Sequence, residues 1–202
     1  RGTTFPAYSF SADKESPHII QHFACNRLHS GLRFCILPPM NCLMNDYVRL
    51  DSASCTAIWE ANDSEAPIWR YWGPRLSDDV FPTADLRSLR PEPSFSLHFD
   101  QPLSLFPGLG LGWFGQTALL AHREGEDWAH AVTRCDVEIE EHGVTFHLLD
   151  AVAKIAVSIK AMLDPQTDVL TLSTTLRNDG GKTLDIQTLA AGNVPLPDNA
   201  LK

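Results

Sequence analysis

Four potential metal donors crowd the start of the chain: His18, His22, Cys25 and His29. On a helix they would fall at i, i+4, i+7 and i+11 and share one face, a spacing that could suit zinc. A structural zinc needs its ligands held by a fold, and this stretch has no sustained apolar period to build one, so no metal is expected. A second lure is G-x-G-x-x-G at Gly110, Gly112 and Gly115. A dinucleotide fingerprint requires a hydrophobic strand before it and an amphipathic helix after it, whereas Pro102 and Pro107 precede these glycines and hairpin patterns follow. They are read as a flexible loop or as close backbone packing, and no cofactor is expected. Beyond them His122, Arg123, Glu124, Glu126, Asp127, Trp128 and His130 form a polar cluster, read as a surface loop and strand end. The serines are scattered, with no G-x-S-x-G elbow. In Ile68-Trp69-Arg70-Tyr71-Trp72, strict alternation sends Trp69 and Tyr71 one way and Ile68, Arg70 and Trp72 the other. One face should then carry a tryptophan outward, and indole beside arginine suits a sugar or another domain.

The elements that would position these groups are strands. Val137 and Ile139, then Val144, Phe146 and Leu148, alternate on either side of Glu141-His142-Gly143, a hairpin signal. Ala153, Ile155, Val157, Ile159, Ala161 and Leu163 are apolar at every second position, with Lys154, Ser158 and Lys160 between them. That period of two excludes a helix. Asp164-Pro165-Gln166-Thr167-Asp168 supplies a reversal, because proline sets its own φ and aspartates bond local backbone. Leu170, Leu172 and Leu176 continue to Asn178-Asp179-Gly180-Gly181, where the glycines are expected to take positive φ, and Leu184, Ile186 and Leu189 form the next strand. Upstream, Tyr47–Asp51, Cys55–Trp59 and Ile68–Trp72 read the same way. Consecutive antiparallel strands with one apolar face each must cover it with a second sheet, so the predicted fold is all-β, an antiparallel β-sandwich.

Composition narrows the partners. The chain has 202 residues, 44% of them hydrophobic, enough for one real core. Its net charge of −9 opposes nucleic acid and anionic membrane as partners. Five cysteines without a C-x-x-C pair argue against a disulfide framework. No apolar run approaches the roughly 20 residues of a membrane span, and no secretory signal is recognisable. A cytoplasmic setting is expected. Residues 1–43 lack any period and are read as a disordered or spurious extension, with the domain proper at 44–202.

Five landmarks occur in order: Tyr71-Trp72-Gly73, Phe81-Pro82-Thr83-Ala84-Asp85, Phe95-Ser96-Leu97, Phe106-Pro107-Gly108 and Arg177-Asn178-Asp179-Gly180. From Met44 onward they resemble the N-terminal β-supersandwich domain of family 36 glycoside hydrolases, the bacterial and fungal α-galactosidases. The resemblance implies a supersandwich, incomplete at its C-terminal end, that precedes a catalytic (β/α)8 barrel and a small C-terminal β domain. It implies hydrolysis of terminal α-galactosides, raffinose- or melibiose-like, with retention. The two carboxyl groups about 5 Å apart that such chemistry needs would lie on the barrel, so no catalytic residue is expected here. Asp78/Asp79 and Glu126/Asp127 are neighbours in sequence and read as solvated loop charges.

In the family, a loop after the Tyr-Trp-Gly strand reaches the barrel mouth of its own or a neighbouring subunit, where an aspartate accepts hydrogen bonds from galactose hydroxyls. Asp85 matches that position. An ionised carboxylate suits the task, since it accepts two directed bonds that the wrong epimer would leave unmade. By its local chemistry alone, an aspartate after Pro-Thr-Ala reads first as an exposed loop residue or a local turn cap. Two departures stand out. Pro93-Ser94 occupies the place of a family arginine, and Gly108–Gly115 replaces an acidic residue and an arginine. The partners implied are an α-galactoside, the barrel of the same or a neighbouring subunit, and further copies in a homo-oligomer. The chain alone is expected to be inactive. The alternative is a stand-alone β-sandwich module binding carbohydrate or protein.

Overall fold

The computed structural model describes residues 18–24, 42–44, 47–78, 102–113 and 115–195. They form eleven strands: β1 (His18–Ala24), β2 (Cys42–Met44), β3 (Tyr47–Asp51), β4 (Cys55–Glu60), β5 (Ile68–Pro74), β6 (Leu119–His122), β7 (Arg134–Glu140), β8 (Gly143–Asp150), β9 (Ile155–Leu163), β10 (Val169–Asn178) and β11 (Asp185–Leu189). A single 3-10 turn at Leu109–Leu111 is the only helical element among the described residues, and none is long and apolar enough to cross a membrane. Every strand pairing is antiparallel.

Three sheets result: β1-β10-β9-β8-β7, β2-β3-β4-β5, and the ribbon β11-β6. In the five-stranded sheet the expected alternation is observed. Ile155, Val157, Ile159, Ala161 and Leu163 are buried, as are Leu170, Leu172, Thr174 and Leu176 on the next strand. Opposite them lie Val48, Leu50, Ala57, Trp59 and Trp69 of the four-stranded sheet, with Leu119 and Ala121 of the ribbon. Trp59 meets Phe146 edge-on, ring centroids 5.8 Å apart, and this contact ties the two larger sheets.

Local chemistry sets where strands stop. Glu141-His142 is a two-residue loop between the paired residues Glu140 and Gly143. Asp150 ends β8 by accepting the amides of Val152 and Ala153 at 3.0 and 2.8 Å, so β9 starts only at Ile155. Asp164 accepts those of Gln166 and Thr167 at 2.9 and 2.7 Å, closing the β9–β10 turn as its sequence suggested.

Several expectations are corrected. Positive φ falls at Glu124, Gly125, Asp127, Lys154, Asp168 and Gly112, and not at Gly180 or Gly181. There Asn178 accepts the Gly180 amide at 3.0 Å, and a Cβ at Gly180 would sit 2.7 Å from the Arg123 guanidinium. β11 does not extend the five-stranded sheet; it pairs with β6 through an irregular register between Ile186 and Thr188, which leaves Ile186 41% exposed. The Trp69/Tyr71 phase is also broken. Ile58 pairs with Tyr71 but Trp59 pairs with Trp69, so Arg70 is an extra, bulged residue. The bulge turns Trp69 and Trp72 to the same side, with Trp69 1% exposed and Trp72 half-buried on the core. No tryptophan platform forms on β5.

Two strands begin before residue 44, β1 and β2. β1 pairs along its whole length with β10, so the backbone of residues 18–24 is the edge of the five-stranded sheet. His18 and His22 therefore sit on a strand and not on the helix that the metal spacing required; Cys25 and His29 lie outside the described residues.

Candidate functional site

Asp85 lies outside the described residues, as do Asp79, Pro93, Ser94 and the Phe81–Ala84 and Phe95–Leu97 landmarks. Described residues flank that segment on both sides, and both flanks are tied to the four-stranded sheet.

The first end rests on the outward face of the four-stranded sheet. Along β3, Val48 and Leu50 enter the core, so Arg49 and Asp51 point the other way, yet they are only 3% and 5% exposed. Arg49 grips Asp51 with two bonds, Nε to Oδ2 at 2.8 Å and Nη2 to Oδ1 at 3.2 Å. The Thr56 hydroxyl, from the paired residue on β4, donates to Asp51 Oδ1 at 2.5 Å. The same groups seize the chain leaving β5. Arg49 donates to the carbonyls of Leu76 at 2.9 Å and Ser77 at 3.2 Å, and Thr56 Oγ1 accepts the Leu76 amide at 3.1 Å. Arg75 adds its amide to Ser54 O at 2.7 Å and its guanidinium to Ser52 O at 3.0 Å.

That Ser52–Ser54 turn is itself clasped from the other sheet. Asp168, held at φ 59° in the β9–β10 turn, accepts the Ser52 hydroxyl at 2.7 Å, the Ser54 amide at 3.0 Å and the Ser54 hydroxyl at 2.5 Å. The second end returns beside the start of β5. Leu103 O accepts the Trp69 amide at 2.9 Å, and Leu105 N donates to Pro67 O at 2.7 Å. Ser104 pairs with Ile68 as a β-bridge, and its hydroxyl donates to Pro67 O at 3.2 Å. Asn193 N then donates to Leu105 O at 2.8 Å, while its own carbonyl accepts the Trp69 indole at 2.6 Å.

The glycine-rich stretch follows this return and packs on backbone. A Cβ on Gly108 would lie 2.6 Å from His130 O, and one on Gly110 would lie 2.8 Å from the same oxygen. Gly112 instead takes φ 77° to end the 3-10 turn. No phosphate-binding helix follows among the described residues.

Several of the remaining charges pair with one another. Glu126 and Asp127 are exposed, and Asp127 faces Arg123 at 3.5 Å across a tight turn whose Glu124 and Gly125 both have positive φ. Trp128 packs on His122 at 4.3 Å. His130, grouped with them by sequence, is instead buried. A recess of about 250 Å³ on the outer face of the five-stranded sheet is lined by Arg134, Asp136, His147, Ser158 and Arg177. Arg134 pairs with Asp136 at 2.9 Å, His147 with Glu138 at 3.3 Å, and Arg177 with Asp179 at 2.7 Å. Hydrogen bonds from Arg177 and Lys160 hold the Asp179 and Glu140 carboxyls below the usual range, which favours static ion pairs over proton transfer. No group of three or more metal-ligating side chains gathers among the described residues. Among the described residues the site is thus a scaffold that fixes the chain on either side of residues 79–101, with no acid–base constellation in it.

Over residues 65–202 the sequence matches the Glycosyl hydrolase family 36 N-terminal domain. The chain belongs to that family. Solved structures agree on the fold. A doubly substituted form of the family 36 α-galactosidase AgaA of Geobacillus stearothermophilus, in complex with raffinose, is 20% identical with a TM-score of 0.52, over 71% of this chain and 23% of that one. AgaB of the same organism is 17% identical with a TM-score of 0.52, over 76% and 24%. The galactosidase domain of the α-galactosidase-sucrose kinase AgaSK is 19% identical with a TM-score of 0.53, over 76% and 25%. This family 36 domain therefore spans about a quarter of the length of the α-galactosidases it matches. No match is found among curated proteins.

The anchors Arg49, Asp51, Thr56 and Asp168 were missed from sequence, the first three of them ahead of the residues that match the family 36 domain. Arg49 and Asp51 at i and i+2 on a strand do imply a shared face. Their burial depends on what covers that face, which periodicity does not report.

Proposed function

We propose that this chain is the N-terminal sandwich of an α-galactosidase that cleaves terminal α-galactosides of the raffinose or melibiose type with retention. Its catalytic carboxyls lie on a barrel outside these residues. Asp85 accepts hydrogen bonds from galactose hydroxyls at the mouth of that barrel, in its own or a neighbouring subunit of a homo-oligomer. The match of residues 65–202 to the family 36 N-terminal domain carries the reading. The double anchoring of the 79–101 segment supports it, because a sugar contact needs its supporting chain held at both ends.

The test starts from the coding sequence beyond Lys202, expressed whole and assayed on an aryl α-galactoside and on raffinose. Turnover is expected, with Asp85→Ala raising KM for the galactoside by about tenfold or more, the worth of a charge-assisted hydrogen bond. Residues 1–202 alone should show no turnover. A reading frame without a barrel would favour the independent binding module and sink the proposal. So would an Asp85→Ala enzyme with unchanged KM and kcat.

A further inference from the structure

His130 is 5% exposed, and its two ring nitrogens have unlike surroundings. Nε2 lies 3.0 Å from the carbonyl oxygen of Ala121. A carbonyl only accepts, so Nε2 carries the hydrogen. Nδ1 is buried and has no hydrogen-bond partner among the described residues. Asp150, 8% exposed, aims Oδ2 at it from 3.9 Å, too far for a direct bond. Asp150 is otherwise an acceptor for the Ala131, Val152 and Ala153 amides. Two acceptors therefore face each other with no donor between them.

Both line one cavity of about 20 Å³, walled elsewhere by Phe106, Leu119, Leu148 and Val157. Such a volume passes the roughly 10–15 Å³ that one water requires, and two polar partners are the minimum that keeps it there. An oxygen about 2.8 Å from each acceptor would see them roughly 90° apart, close enough to the water angle for both bonds.

We propose that this cavity is a binding site for a single structural water, which donates one hydrogen to His130 Nδ1 and the other to Asp150 Oδ2. The water joins the 129–131 backbone, on which Gly108 and Gly110 pack, to the end of β8. The inference is independent of any catalytic reading. Leaving the buried Nδ1 acceptor unmatched would cost more than immobilising one water.

Two measurements on the intact chain test it. A crystal structure that resolves ordered water should show a peak within hydrogen-bond distance of both atoms, and imidazole nitrogen NMR should find Nδ1 unprotonated at neutral pH. Empty density, xenon entering the cavity, or a doubly protonated ring paired directly with Asp150 would overturn the proposal. Val157→Ile supplies a sign test, because it adds a methyl to the cavity wall. In a wet cavity it expels the water and lowers Tm by roughly 2–4 °C or more; in a dry one it fills a void and raises Tm. A raised Tm refutes the water site.

Discussion

Arg49→Met would remove the cation from a buried pair and leave Asp51, 5% exposed, hydrogen-bonded to Thr56 without its guanidinium. Removing one partner of a buried ion pair costs about 3–5 kcal/mol, chiefly because the surviving charge stays buried. The carbonyls of Leu76 and Ser77 also lose their donor. Replacing both partners should be far milder. In Arg49→Met/Asp51→Leu no charge is stranded, and the residual loss is the unmatched Thr56 hydroxyl and the two carbonyls, about 1–3 kcal/mol in all. The double variant should therefore be about 2 kcal/mol more stable than Arg49→Met alone, a rescue that two additive losses could not give. Urea unfolding followed by tryptophan fluorescence suits the measurement, since Trp59 and Trp69 are core residues at 0% and 1% exposure. Hydrogen exchange at the Leu76 amide, bonded to Thr56 Oγ1, reports whether the 79–101 segment has lost its first anchor. A single variant within about 1 kcal/mol of the parent, or a cycle that is additive, would refute the view that this network is a buried clamp.

Gly108→Ala forces a methyl to within 2.6 Å of His130 O and should cost about 1–3 kcal/mol by urea denaturation, whereas Gly112→Ala, in open space at φ 77°, should cost about 1 kcal/mol. Burial pushes the Cys135 thiol up to about 12, with Asp136 and Asp63 adding to it. Alkylation followed by mass spectrometry at pH 8 should leave it unmodified until the chain unfolds. The acid limb has a definite sign. Glu124 and Glu140 are held low by hydrogen bonds from Lys182 and Lys160, Asp164 by the backbone amides of Thr167 and Gln166, and Asp179 by Arg177. The unfolded chain takes up those protons first, so stability is full above the ordinary carboxylate range and declines as pH falls through it. A Tm that stayed flat or rose on acidification would contradict this.

The parts of the fold that could be read from sequence are those where one face is wet. β9 and β10 alternate cleanly because lysine, serine and threonine sit between their buried aliphatics, and both strands are where the pattern placed them. β5 failed the same test. Its aromatics fill both phases, so nothing in Ile68–Trp72 marks Arg70 as the bulged residue, and only the register against β4 reveals it. β1 was missed because an edge strand needs little pattern when its partner supplies the ladder. The glycines at 180–181 were assigned a turn chemistry that Asn178 performs with its side chain. Asp85 was legible only as a family landmark, and the groups that anchor its segment were not, because Arg49 and Asp51 take their meaning from a covered sheet face.

The contact between Asp168 and Ser52 spans 116 residues of chain. A bond of that reach closes a long loop of chain, so it repays nothing until both hairpin turns have met and the entropy of bringing them together has been lost. Cutting it would leave the ladder of each sheet whole and remove one strap that runs between them.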